Sequence, residues 1–180
     1  MFENLCHPAE VFYFQYMTKK ILRPLIATIV VFAIMRLQGA SLFSIYSPGG
    51  IVDLELARTA DQVQKYLLLW DNAVIKWNIT IDFFFIIAYT WLLYAWLRWI
   101  KAHLQSIIRQ QINQWLTKAV ILVGVLDMLE NSLMLFTIKG LYNTLSLEAT
   151  YWFAVCKFAL AGITLTYILL NSIFIALSKK

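Results

Sequence analysis

Charge is what this chain has least of. Lysine, arginine, aspartate and glutamate make up 14% of its 180 residues, against about 25% in an ordinary soluble domain. So little charge excludes a solvated surface over most of its length. Cysteine is nearly absent: Cys6 and Cys156 stand far apart in unlike settings, which rules out a disulfide framework or a spaced metal knuckle. Histidine is as scarce, and His7 and His103 both fall at or near the side assigned below to the cytoplasm. Zinc sites draw on His and Cys, so a membrane-embedded zinc hydrolase is disfavoured. There is no GxSxG, no Cys–His pairing and no phosphate loop. The opening "MFENLCHPAEVFYFQYMTKK" sets acids before bases, without a basic region leading a short apolar stretch and a cleavage site. The first span is therefore expected to act as its own insertion signal. No repeat and no low-complexity segment is present.

What is abundant is apolar. Hydrophobic residues make up 61% of the chain, with seven Trp, nine Tyr and twelve Phe, and the mean hydropathy is +0.69. A helix needs about 20 mostly apolar residues to cross a bilayer. Four stretches qualify, at about 21–43, 77–97, 119–138 and 152–177. Each is flanked by the Trp, Tyr, Lys or Arg expected at membrane interfaces. The expected fold is one all-α domain over 1–180: an integral membrane four-helix bundle with an additional amphipathic interfacial helix in the first outer loop.

The bases give the orientation. Lys19, Lys20 and Arg23, then Arg98, Lys101, Arg109 and Lys118, then Lys179 and Lys180, share one side of a four-span arrangement. The other side has Arg58, Lys65, Lys76 and Lys139, diluted by Asp53, Glu55, Asp61, Asp71 and Glu148. The positive-inside rule then puts both termini in the cytoplasm, for a protein of the bacterial inner membrane. Three spans would strand Lys179 and Lys180 outside. The net charge of +5 flanks apolar runs and forms no dense block, so nucleic acid is not an expected partner. Membrane lipids are, and a membrane-protein partner or a second copy is compatible with the pattern. The stretch "LQSIIRQQINQWL", 104–116, has apolar residues at helical spacing and reads as an amphipathic cytoplasmic extension of the middle spans.

The first outer loop carries more than turns. Pro48-Gly49-Gly50 breaks the helix. Thr59 followed by Gln62 is a capping-box pattern, so a helix is expected over about 60–72, lying flat on the outer surface. Between them stand Asp53 and Glu55. In an extended segment these two acids point the same way, either into solvent or down into the bundle.

The spans themselves hold polar residues at a common depth. Asp127 lies eight residues past Ala119, about 12 Å into the apolar core. Glu130 and Asn131 follow one turn later on the same face. Arg36 falls in the outer half of span one, Asp82 in the first third of span two, and Lys157 in the first third of span four. Lys157 is also placed to snorkel outward. Tyr89 shares a face with Asp82. Gly39, Ala40, Ala161, Gly162 and Thr164 are small residues suited to close helix packing. A lone charge at the bilayer centre costs about 2.5–3.5 kcal/mol, so the expectation is one shared outward-facing pocket where these groups pair, with Arg36 in reach of Asp127 or Glu130.

Several chemistries suit such a cluster. Asp82, Asp127 and Glu130 are candidates for acid–base work. Arg36, Asn131, Glu55, Asp53, Tyr89 and Lys157 are candidates for holding a substrate. Carboxylates with an amide also suit Mg or Ca, although Arg36 and Lys157 compete with a cation. The functional expectation is binding or processing of a lipid-like or amphiphilic small molecule. Two alternatives stand beside it: transport of a proton or amphiphile, and a non-catalytic subunit of a larger complex whose charges only set helix register.

Three stretches, "LELARTADQVQKYLLLW", "DFFFIIAY" and "DMLEN", resemble a pattern of small bacterial four-span membrane proteins. The likeness covers the outer loop and spans two and three. It implies the fold and a bacterial membrane, and it implies no activity. The histidine set of the alkaline ceramidases is absent.

Overall fold

The computed structural model of the chain describes residues 8–178. The expectations placed on Cys6, His7, Lys179 and Lys180 lie outside what it describes, as does the side chain of Lys19. Of the described residues 84% are helical, and none belongs to a strand. Helix α1 is Pro8–Gln38, followed by a 3-10 turn at Ala40–Leu42; α2 is Ile51–Glu55, α3 Ala60–Leu69, α4 Asn72–Lys101, α5 Ile107–Ile138 and α6 Thr144–Leu177. Among the described residues four stretches are long and apolar enough to cross a membrane: Lys20–Gln38 within α1, and the whole of α4, α5 and α6.

Each overlaps one of the four expected spans, but the ends differ, for local reasons. The first span was expected to reach residue 43 and stops at Gln38. There the amide of Asn78 on α4 donates to Met35 O and to Gln38 Oε1, both at 3.0 Å, and Gln38 Nε2 donates to Val74 O. These bonds stitch the end of α1 to the start of α4. Gly39 lies against Asn78 where a Cβ would clash. Helix α4 starts at Asn72 because the Asp71 carboxylate accepts from Ala73 N at 2.7 Å. Helix α5 closes in a Schellman pattern around Gly140, at φ 75°: Leu141 N donates to Phe136 O and Gly140 N to Thr137 O. Next, Asn143 and Ser146 form a capping box that starts α6 at Thr144, well before the expected residue 152. Polar capping residues extend these helices past the limits of their apolar runs.

The loop between α1 and α4 folds as two short helices. The expected capping box of Thr59 and Gln62 is present and starts α3, which ends at Leu69, short of the expected 72. Burial, with the nearby Asp53 carboxylate, pushes the Tyr66 phenol on α3 above its ordinary pKa. The segment of Asp53 and Glu55 is helical rather than extended. Gly50 sets this up. Its φ of 61° suits glycine, and the ring of Phe43 stands where a Cβ would be. Two residues apart on a helix, Asp53 and Glu55 point different ways. Asp53 turns back to accept from Gly49 N at 2.9 Å, and Glu55 is buried.

Helices α4, α5 and α6 pack into a three-helix core, and α1 packs on α4 rather than on α6. Two apolar layers result. One includes Leu54, Val63, Trp70, Ile79 and Met134; the other includes Leu93, Leu97, Val120 and Ile168. The stretch 104–116 is a turn followed by the first turns of α5; its Leu104 is buried, while Ile107, Ile108, Ile112 and Trp115 are exposed.

Candidate functional site

Along α4, α5 and α6 the same order recurs: an apolar layer, a polar band, an apolar layer. The band centres on Lys157, thirteen residues into α6, about 20 Å along that helix. Its Nζ lies 2.6 Å from Asp127 Oδ1, 2.9 Å from each oxygen of Glu130 and 3.2 Å from Glu55 Oε2. All four residues are at most 5% exposed. A lysine reaching outward to solvent is thereby excluded.

Two further side-chain bonds flank these four residues. The Tyr89 hydroxyl donates to Asp127 Oδ2 at 2.7 Å, and Asn131 Nδ2 donates to Asp82 Oδ2 at 2.7 Å. Helical spacing explains the convergence. Asp127, Glu130 and Asn131 share one face of α5, and Asn78, Asp82 and Tyr89 share one face of α4. Asn78 was not singled out from sequence, although it lies one turn before Asp82. Its position on that face was the available signal.

Not every expected member is present. Arg36 is the clearest correction: it is exposed, and its guanidinium sits 4.1 Å above the ring of Phe43, away from Asp127 and Glu130. Its neighbour Met35 faces the interior instead. One residue on a helix is a rotation of about 100°, and the packing of α1 on α4 selects Met35. Asp53 is also outside, held at the Gly49 turn. Of the small residues on α6, Ala161 lines a cavity and Thr164 is buried, but Gly162 faces open space.

The cavity has a volume of about 440 Å³ and lies between α1 and α6, within the 300–1,000 Å³ range usual for small-molecule pockets. Phe32 of α1, Phe85 of α4 and Phe158 and Leu165 of α6 form apolar wall; Glu55, Asp82, Asp127, Asn131 and Lys157 form the polar part. Glu130 stands behind Lys157 and does not line it.

Three carboxyl groups thus gather about one ammonium, and a fourth, that of Asp82, stands beside them on Asn131. That ammonium occupies the centre where the sequence suggested an Mg or Ca ion. Among the described residues no group of three or more His, Cys, Asp or Glu is arranged to hold a metal. Fold and site define an all-helical protein with four potential membrane spans and a buried ionic cluster beside an apolar cavity. Compared with family models, with curated proteins and with solved structures, the chain matches none.

Proposed function

We propose that the chain is an integral membrane protein that binds a lipid-like or amphiphilic small molecule in the cavity between α1 and α6. One observation carries this reading: a cavity of about 440 Å³ with a long apolar wall and charged groups at one part of it. Apolar wall suits a hydrocarbon chain, and clustered polar groups suit a head.

Insertion in a membrane is supported by the surface of α1. Only 6% of its apolar stretch is buried against the protein, so the rest needs a hydrocarbon environment. In this reading both termini are cytoplasmic, in a bacterial inner membrane, and α3 lies at the outer interface with Val63 inward and Leu68 exposed. Topology is checked by thiol labelling of intact cells, using Ser178→Cys in a chain with Cys6 and Cys156 replaced by Ser. The thiol is expected to react only after the cytoplasmic side is opened. Labelling from outside would refute the orientation.

Occupancy is tested by filling the cavity. Ala161 lines it and is half-buried. Parent protein purified in mild detergent is expected to carry a lipid or other amphiphile, read by mass spectrometry of an organic extract. Ala161→Trp is expected to lose at least nine-tenths of it while keeping the helical content. Equal lipid in both proteins would remove the binding reading.

Any acid–base step on such a ligand falls to Asp82 and Asp127, which face the cavity, rather than to Glu130. A second reading has its own support. The ammonium of Lys157 has three N–H donors, and Asp127, Glu130 and Glu55 surround it. So complete an internal engagement is what a purely register-setting network needs, in an accessory subunit of a larger membrane assembly or of a homo-oligomer.

A further inference from the structure

The polar part of the cavity is unbalanced in hydrogen bonding as well as in charge. Lys157 directs its ammonium at three carboxylates, and the hydroxyl of Tyr89 is committed to Asp127. The charged and phenolic donors that face the cavity are therefore engaged. Two of the acceptors there are not. Asn131 is 1% exposed, lines the cavity, and its Oδ1 has no hydrogen-bond partner. Its other end is fixed, because Nδ2 donates to Asp82 Oδ2 and so settles which way the amide points. Asp82 is half-buried at the cavity wall, and its Oδ1 makes no hydrogen bond among the described residues. A buried acceptor left without a donor carries an uncompensated desolvation cost. A ligand that brings donors to this point relieves that cost, and one that brings acceptors does not. An anionic head would in addition stand against Asp82, Asp127 and Glu55.

We propose that the cavity takes a single-chain amphiphile with a primary ammonium head, seated on Asp82 Oδ1 beside Asn131. The hydrocarbon chain lies against Phe32, Phe85, Phe158 and Leu165. Its way in is the side between α1 and α6, which are not packed closely on each other, so the chain enters from the plane of the bilayer. This inference rests on the cavity reading above and adds the chemistry of the head.

The test uses the full chain in neutral detergent and three probes of one chain length: dodecylamine, dodecanol and dodecanoate. Binding is read by native mass spectrometry over a titration. Dodecylamine is expected to bind at least tenfold more tightly than dodecanoate, with dodecanol between them. In Asp82→Asn, which keeps an acceptor for Asn131, dodecylamine is expected to fall to the level of dodecanol. Dodecanoate binding as well as dodecylamine overturns the inference, and so does an amine preference that survives Asp82→Asn. Equal binding of all three probes removes the ammonium head and leaves the cavity as a lipid site. Binding of none of them overturns both readings. Should Asp82→Asn not fold, the ranking of the three probes on the parent chain decides alone.

Discussion

Replacing Lys157 with methionine is expected to destabilise the protein by about 3–5 kcal/mol, the usual cost of removing one partner from a buried ionic group. Methionine matches the length and apolar stem of lysine, so the change removes little besides the charge and its donors. It leaves Asp127, Glu130 and Glu55, each at most 5% exposed, facing one another without a cation. Like charges at such range in a poorly polarisable interior repel strongly. Unfolding of the purified chain in detergent, followed by circular dichroism, measures the loss. Adding Asp127→Asn and Glu130→Gln to Lys157→Met is expected to recover most of it, since the amides keep shape without charge. A Lys157→Met protein that melts like the parent would show that the cluster does not hold the bundle.

Asp127→Asn combined with Glu130→Gln, with Lys157 kept, separates binding from packing. The double variant leaves Lys157 paired with Glu55, one charge against one, and is expected to fold with little loss in the absence of ligand. Its response to ligand is expected to change. A compound that binds only the folded state, present at 100 times its dissociation constant, adds about 2.7 kcal/mol of stability. With dodecylamine as the probe the parent is expected to gain that amount and the double variant much less, because Asp127 supplies part of the cavity's negative charge. Thermal unfolding with and without the probe measures both. No gain in either would favour the register-setting network over a binding site, and equal gains would show that Asp127 and Glu130 take no part in binding.

The two variants differ in which acids remain, and those acids are legible in the amino-acid sequence. Asp127 is preceded by eight apolar residues from Ala119, so no placement of that span removes it from the apolar zone. Glu130 and Asn131 follow on the same face by helical period alone. Thr59 and Gln62 announce the start of α3 for a reason as local: side chain and backbone bond within four residues. Arg36 is misread from sequence because an apolar run tells that a charge is near a helix, not which way the helix is turned. Glu55 stays open in the sequence because its direction depends on the helical turn that follows Gly50, and nothing local distinguishes that turn from an extended segment.

By itself, then, the chain determined the four long helices, the loop helix α3 and the polar bands on α4 and α5. Each depends on hydropathy, periodicity or capping, and all of these act over a few neighbouring residues. Tertiary structure alone decided that α1 docks on α4 by Met35 and Gln38 rather than by Arg36, that Lys157 is the hub of the acids, and that a cavity lies between α1 and α6. The physical reason is that a helix fixes the relative directions of its own side chains but leaves its rotation about its axis free. That rotation is set by contacts between residues far apart in sequence, such as Asn78 with Met35 and Lys157 with Asp127.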